Sequence, residues 1–549
     1  MCGIWALLSK KEIKQFGALY DSFMQIKKRG PEYSSFDLVT ANVLLGFHRL
    51  AIMDPTADGN QPFKFVRPDG SCVYCICNGE IYDYKKLKNL HKISTKSNSD
   101  CEVIIPLFEK LGIEETIKLL GSEFAFTIID VPPQSSTKGP TMYIGRDPLG
   151  IRPLFYSSTE NGFCISSEMK GLCDIFDTVN VFPPGHYAII DGQKTSFVEY
   201  YSFDKFPIVP LSNMANVLEN VKRRFTDAVS KRLMTDRPIG CLLSGGLDSS
   251  LVCAVARTLL PPGQVLPVFT IALNTGSTDL PFAQAVVAHL VKLGYNIEHH
   301  IVEVTIEEGL AVLAESVYVT ESWDITTNRA NVMQMLIAKY IREHTDIRVL
   351  LVGEYSDEIF LGYLYEHNAP SVQAAHEDRI RLTKDAHKFD GVRADRSMAY
   401  YGLEARMPFG DCDLVSYVIG LDPNLVVPQK GLEKALLRKA FEESGILPYD
   451  VLFRRKEAFS DAVSTKAKSW YQSIQEHIDT LVSDEEFDAN AKNFEWCAPF
   501  TKESYYYRKL FTKYFGEGSG KAKVIPYYWL PKWAKTTDPS ARTLVNYNN

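Results

Sequence analysis

The chain has 549 residues, with 60 Lys plus Arg against 67 Asp plus Glu, a formal net charge of −7, and 45% apolar residues. At roughly 100–200 residues per domain this length predicts two to four domains, and a mildly acidic chain argues against non-specific nucleic-acid binding. Eleven cysteines are too few for a disulfide scaffold, and no apolar run approaches the ~18–20 residues that span a bilayer. The expectation is therefore a cytoplasmic protein with reduced thiols and no membrane or nucleic-acid partner. The apolar start, Met1 to Leu8, is short, lacks a basic lead and does not read as a signal peptide.

The first 200 residues read as short β runs between turns: 43–47, 73–77, 124–129 and 142–144. A helix is expected from Glu102 to Phe108, with Pro106 in its first turn. This mixture predicts an α+β layered domain over residues 1–202. Residues 203–212 carry Pro207 and Pro210 without periodicity and read as a linker. Ser212 or Asn213 offers an N-cap to a helix whose apolar positions run Val217, Val221, Phe225 and Val229. Beyond it, strand-like runs at 239–243, 268–273 and 349–352 alternate with helices, which predicts an α/β doubly wound parallel sheet within a domain spanning 213–549. The aromatic tail (Tyr505 to Tyr507, Tyr527 to Trp529, Trp533) reads as packing.

Cys2 directly follows the initiator methionine. Removing Met1 would leave a free α-amine beside the thiol, a base able to activate a nucleophile. Arg29 stands in the turn Arg-Gly-Pro-Glu. Arg49, at a strand end, is suited to a bidentate grip on a carboxylate. Asn78 and Gly79 follow a strand and supply the donor types of an oxyanion hole. Asp100 offers a carboxylate to a ligand ammonium. Together these residues describe an amino-acid pocket around a thiol. Cys75 and Cys77 share one strand face while Cys72 points to the other, without zinc spacing nearby, so these thiols read as packing.

The strongest motif is Ser244-Gly245-Gly246-Leu247-Asp248-Ser249-Ser250, set between a strand and a helix. Its glycines let backbone N–H groups approach an anion, its hydroxyls add donors, and the helix N-terminus adds positive potential. Asp248 is of the type that holds Mg²⁺ against phosphate. The form is that of the pyrophosphate loop of ATP pyrophosphatases rather than a Walker A loop.

On these two motif sets the chain resembles the glutamine-hydrolysing asparagine synthetase family, eukaryotic type, from Cys2 to Arg542. The resemblance implies an N-terminal Ntn-hydrolase glutaminase of αββα layering, followed by an ATP pyrophosphatase-type synthetase domain. Cys2 would be the nucleophile, Asn78 and Gly79 the oxyanion hole, and Arg49, Glu80 and Asp100 the glutamine contacts. Leu242 and Ile271 would line the ATP site with Gly353, and residues 244–250 would take the pyrophosphate. Asp248 and Asp357 would hold Mg²⁺, Lys456 would neutralise phosphate charge, and Glu354 would act near the ammonia attack. Thr326, Thr327 and Arg329 would lie along the aspartate side. The implied substrates are L-glutamine, L-aspartate and ATP, with transfer of ammonia inside a chain that pairs as a homodimer.

Four positions depart from the family pattern. Val352 lacks an expected hydroxyl, Tyr355 replaces a glycine, Lys28 replaces a histidine and Gly410 replaces a larger apolar residue. If position 355 requires positive φ, the loop must shift or strain. The rival readings are a relative acting on another acid, as β-lactam synthetases do without the cysteine, a glutaminase with weakened synthetase activity, and a regulatory pseudoenzyme.

Overall fold

The computed structural model describes residues 1–192, 194–208, 213–429, 431–465, 467–516, 519–534 and 536–547. Residues 209–212 of the expected linker, Ser212 among them, lie outside the described residues.

Alternating side chains in the first 200 residues build two sheets. One runs in the order Asn180–Val181, Phe155–Thr159, Gly162–Ser166, Gly3–Ser9, Val43–Arg49, Tyr33–Thr40. The other runs Thr195–Glu199, His186–Ile190, Thr141–Arg146, Glu123–Val131, Cys72–Glu80, Phe63–Val66. The strand pairs in both are antiparallel. Ile4, Ala6 and Leu8 point between the sheets onto Ile76, Ala125 and Ile129. Trp5 and Leu7 alternate to the outer face, under the helix Gly17–Met24. On the other outer face Cys75 and Cys77 pack beneath the helix Ile104–Leu119, as the packing reading of the thiols expected. Pro106 lies in that helix's first turn. The result is the expected αββα stack. Among the described residues no cluster of three or more His, Cys, Asp or Glu could hold a metal ion.

Asn213 caps the helix Met214–Arg232 by accepting from the Ala215 amide at 2.9 Å. Its apolar stripe of Val217, Val221, Phe225 and Val229 is buried, and Phe225 meets Phe409 with ring centroids 4.5 Å apart. Burial of such side chains stabilises by roughly 1.5–3 kcal/mol each. Beneath it lies a five-stranded parallel sheet in the order Ile297–Val304, Leu266–Leu273, Ile239–Leu242, Val349–Leu351, Glu404–Arg406. The two outermost strands were not expected from sequence. Ile297–Val304 carries Glu298, His299 and His300, and Glu404–Arg406 is three residues long with two charges. Neither resembles the apolar runs of the sheet centre.

The two halves share one core, in which Trp5 and Leu172 join Phe225, Val349 and Phe409. Buried ions cross the same seam. Arg29 pairs with Glu168 at 2.8 Å and with Asp395 at 2.7 Å, and Arg232 bridges Glu123 and Asp411. Two departures from the family are repacked here. A Cβ at Gly410 would stand 2.7 Å from Ile151, so glycine admits that side chain. Lys28 lies over the Tyr400 ring at 5.2 Å. The tail folds back on this half, with Trp529 against Phe389 at 4.6 Å. Among the described residues no helix is long and apolar enough to cross a membrane.

Candidate active site

Cys2 sits at the head of the first strand. Its backbone N–H donates to Asn78 Oδ1 at 3.0 Å and its thiol to the Leu50 carbonyl at 3.6 Å. Arg29 Nε fixes the Cys2 carbonyl at 2.9 Å. Burial pushes the thiol up to about 11, against the opposing pull of the terminal amine. Met1 is itself buried, and its amine lies 3.4 Å from Glu404. Asn78 is fully buried, and among the described residues its Nδ2 has no hydrogen-bonding partner, a spare donor beside the Cys2 thiol. Gly79 is required by space, since a Cβ there would stand 2.2 Å from the Glu123 carbonyl. Glu80 and Asp100 are buried next to this point. Burial pushes Asp100 up to about 6, although it accepts from the Ile81 amide at 2.5 Å. Glu80 Oε2 also lacks a hydrogen-bonding partner.

Arg49 is engaged within the chain. Instead of an open fork, its guanidinium clasps the loop 53–60. It donates to the Thr56 carbonyl at 2.6 Å, Asn60 Oδ1 at 2.7 Å and the carbonyls of Met53 and Asp54. The loop folds back over the strand end and fixes the position of the guanidinium.

The second centre is a cleft of about 1100 Å³ at the carboxyl ends of the parallel strands. Leu242 and Ile271 line it, as do Ser244, Gly246, Asp248 and Ser249 of the loop and Gly353 and Glu354 opposite. Gly245 turns the loop at φ +79°, where a Cβ would stand 2.4 Å from the Ala283 amide. Ser244 Oγ, 2.9 Å from Ser249 Oγ, also accepts from the Gly246 amide at 3.2 Å. The helix Leu247–Leu259 then begins with no side-chain cap, which leaves its N-terminal donors for an anion. Ser250 is buried behind the loop and Gly245 beneath it. Neither lines the cleft.

An ionic chain crosses the cleft floor. Lys434 Nζ contacts both Asp248 oxygens at 2.7 Å and Asp357 at 2.6 Å, and Lys456 holds the other Asp357 oxygen at 2.6 Å. Burial alone would raise Asp357, but the two ammonium groups hold it well below the usual carboxylate range. Sequence reasoning missed Lys434. Its only signal is a position directly before the amphipathic helix Ala435–Glu442. It missed Arg393 as well, whose Nη2 lies 3.9 Å from Glu354. Glu354 accepts from Gln334 at 2.7 Å, and burial raises its pKa.

Asp357, Asp390, Arg393, Lys456 and Phe459 also line a second cleft of about 900 Å³, so the two spaces adjoin. Thr326 and Arg329 line the second cleft. Arg329 is fully engaged with Glu503 and Asp538. Thr327 does not line either cleft. Its Oγ1 bonds Asp324 at 3.0 Å in the helix cap, because the third residue of a capped helix turns toward the cap. Tyr355 takes the left-handed conformation at φ +75°, so the loop keeps a glycine-like path and bears the strain.

A model described as glutamine amidotransferase domain matches residues 1–178, and one described as asparagine synthase matches 220–386 and 369–534. The chain is 41% identical to asparagine synthetase (glutamine-hydrolyzing) of Cricetulus griseus and 40% identical to that of Homo sapiens, each alignment covering 100% of this chain and 99% of the relative. Among solved structures it is similar to a glutamine phosphoribosylpyrophosphate amidotransferase from B. subtilis, at 15% identity and a TM-score of 0.32, over 55% of this chain and 81% of that one. The chain belongs to the glutamine-hydrolysing asparagine synthetase family.

Proposed function

We propose that this chain makes L-asparagine from L-aspartate, ATP and ammonia taken from L-glutamine, with residues 1–202 acting as glutaminase and 213–549 as synthetase. The observation that carries the reading is the pairing of a thiol beside a spare amide donor with a pyrophosphate-type loop on one shared core. With Met1 removed, the Cys2 amine serves as base. The thiolate attacks the glutamine amide carbon, and Asn78 and Gly79 stabilise the oxyanion. Ammonia leaves with the proton, and water hydrolyses the thioester to glutamate. Glu80 and Asp100 receive the glutamine ammonium. In the second half the aspartate β-carboxylate attacks the α-phosphorus of ATP and pyrophosphate leaves. Ammonia then attacks β-aspartyl-AMP and AMP leaves. Glu354, raised by burial, is suited to take the proton from the incoming ammonia. Lys456 and the amides of the 244–250 loop hold the phosphates.

Asp248 and Asp357 fit Mg²⁺. Both are hard oxygen donors, and both already converge on one cation, the Lys434 ammonium. The ion would neutralise phosphate charge between them. Eleven free cysteines support a reducing, cytoplasmic setting, and by family resemblance the chain pairs as a homodimer.

The test is a product assay with Mg-ATP, aspartate and either glutamine or ammonium. Cys2→Ala is expected to abolish asparagine formation from glutamine and to keep it from ammonium. Undiminished synthesis from glutamine would overturn the assignment.

A further inference from the structure

The strand Glu404–Arg406 belongs to the synthetase sheet, yet each of its residues reaches into the glutaminase half. Glu404 meets the Met1 amine at 3.4 Å. The Ala405 carbonyl accepts from Arg152 at 3.2 Å. Arg406 Nη2 lies 3.1 Å from Glu80 Oε2. Among the described residues Arg406 is the sole ion-pair partner of Glu80, and it is fully buried.

The guanidinium is clamped on its other sides. Nε donates to Glu404 at 2.8 Å, and Nη1 donates to the carbonyls of Arg232 at 2.9 Å and Met234 at 2.5 Å. Among the described residues Nη2 is left without a directed hydrogen bond, and it faces a Glu80 oxygen that also has none. The Tyr82 ring closes over the group at 5.5 Å. The strand does not depend on this side chain. Arg406 pairs with Leu351 through the backbone, and its carbonyl accepts from Val352 at 3.0 Å.

We propose that Arg406 is a positioning residue for glutamine: it holds Glu80 in place, so the synthetase half completes the glutamine pocket. This rests on the glutaminase reading above. The surroundings explain why a cation is needed. Burial, then Glu404 and Asp100, push the Glu80 carboxyl well above the usual carboxylate range, and Arg406 and Arg152 only partly offset them. Without Arg406 the carboxyl would lose the group that fixes its direction and turn aside. A glutamine ammonium would then lose a charge-assisted partner, a loss on the order of tenfold to a hundredfold in affinity. The released ammonia is captured at a different centre, so its use does not draw on this contact.

The experiment uses the full chain with Arg406→Gln and Arg406→Lys. Arg406→Gln is expected to raise the KM for glutamine by about tenfold or more, with kcat for glutamate formation within a few-fold of the parent. Ammonium-supported, aspartate-dependent pyrophosphate release should stay near parent level. Arg406→Lys, which keeps the charge without the fork, should recover part of the KM. An unchanged glutamine KM in either variant that retains ammonium-supported synthesis overturns the proposal. So does a parallel fall of both activities with no change in KM. If Arg406→Gln fails to fold, Arg406→Lys alone decides by the same criterion. The glutaminase reading fails separately, if Cys2→Ala hydrolyses glutamine as well as the parent does.

Discussion

The two centres handle buried charge in opposite ways. Around Cys2, hydrogen bonds are left unmade: among the described residues Asn78 Nδ2 has none, Glu80 Oε2 has only its ion pair with Arg406, and burial pushes Asp100 up to about 6. In the cleft around residues 244–250 Asp248 and Asp357 are instead paired with lysines, Asp248 with Lys434 and Asp357 with both Lys434 and Lys456. A neutral zwitterion such as glutamine brings one ammonium and one carboxylate, and spare acceptors and donors suit it. ATP brings several negative charges, and a cleft whose lysines are already ordered can receive them by exchanging partners.

The largest expected effect comes from cutting the seam that holds both centres in one body. Arg29→Met leaves Glu168 and Asp395 buried with a lost partner, which should lower unfolding free energy by about 3–5 kcal/mol. Denaturant titration of parent and variant measures this. A loss below about 1 kcal/mol would mean that the seam relaxes and the two halves are not rigidly joined.

Lys456→Met sharpens the contrast itself. Asp357 keeps Lys434 as partner, so the fold should hold. Synthesis from both glutamine and ammonium should fall about 10²–10³-fold, the range for removing one preorganised electrostatic group. Glutamine hydrolysis should persist, and a matching loss of hydrolysis would show that the two centres are not chemically separable.

The thiol centre has its own pH signature. With Met1 in place the Cys2 pKa lies near 11, because burial disfavours the thiolate. A cysteine is neutral below its pKa, so alkylation of Cys2 in chain retaining Met1 should rise about tenfold per pH unit from neutrality toward that value. Chain lacking Met1 carries the amine on Cys2 itself and should react at lower pH. Peptide mapping after alkylation compares the two, and coincident profiles would remove the amine from the mechanism.

Much of this was legible in the sequence because short motifs specify local geometry. Ser244 to Ser250 needs a strand before it and a helix after it, and both were readable from apolar runs. Likewise Asn78-Gly79 lies at a strand end where only glycine fits. What was not legible depended on distance in the chain. Lys434 joins Asp248 across 186 positions, and Arg406 lies opposite Glu80 on a three-residue strand with no periodicity to report it. Arg49 and Thr327 have partners inside the chain that their residue types alone do not reveal. The residue types fit a ligand, but a neighbouring loop and a helix cap claimed their hydrogen bonds.

The smallest expected effect concerns Tyr355, the residue that stands for glycine in the synthetase loop. It is buried, holds φ at +75°, and its hydroxyl has no hydrogen-bonding partner. That hydroxyl faces Gly391, where a Cβ would stand 2.7 Å from it, so a side chain there has no room. Tyr355→Phe removes a buried unpaired group and keeps the ring, and should stabilise by about 1 kcal/mol. Tyr355→Gly relieves about 1–2 kcal/mol of left-handed strain but removes a buried aromatic side chain at a cost of roughly 3–5 kcal/mol, so it should destabilise overall. Thermal unfolding of the two variants orders them. A phenylalanine variant less stable than the parent would mean that the hydroxyl is satisfied in solution. The ring would then have been retained for that bond, and the strain at φ +75° would be offset by polar contact instead of packing.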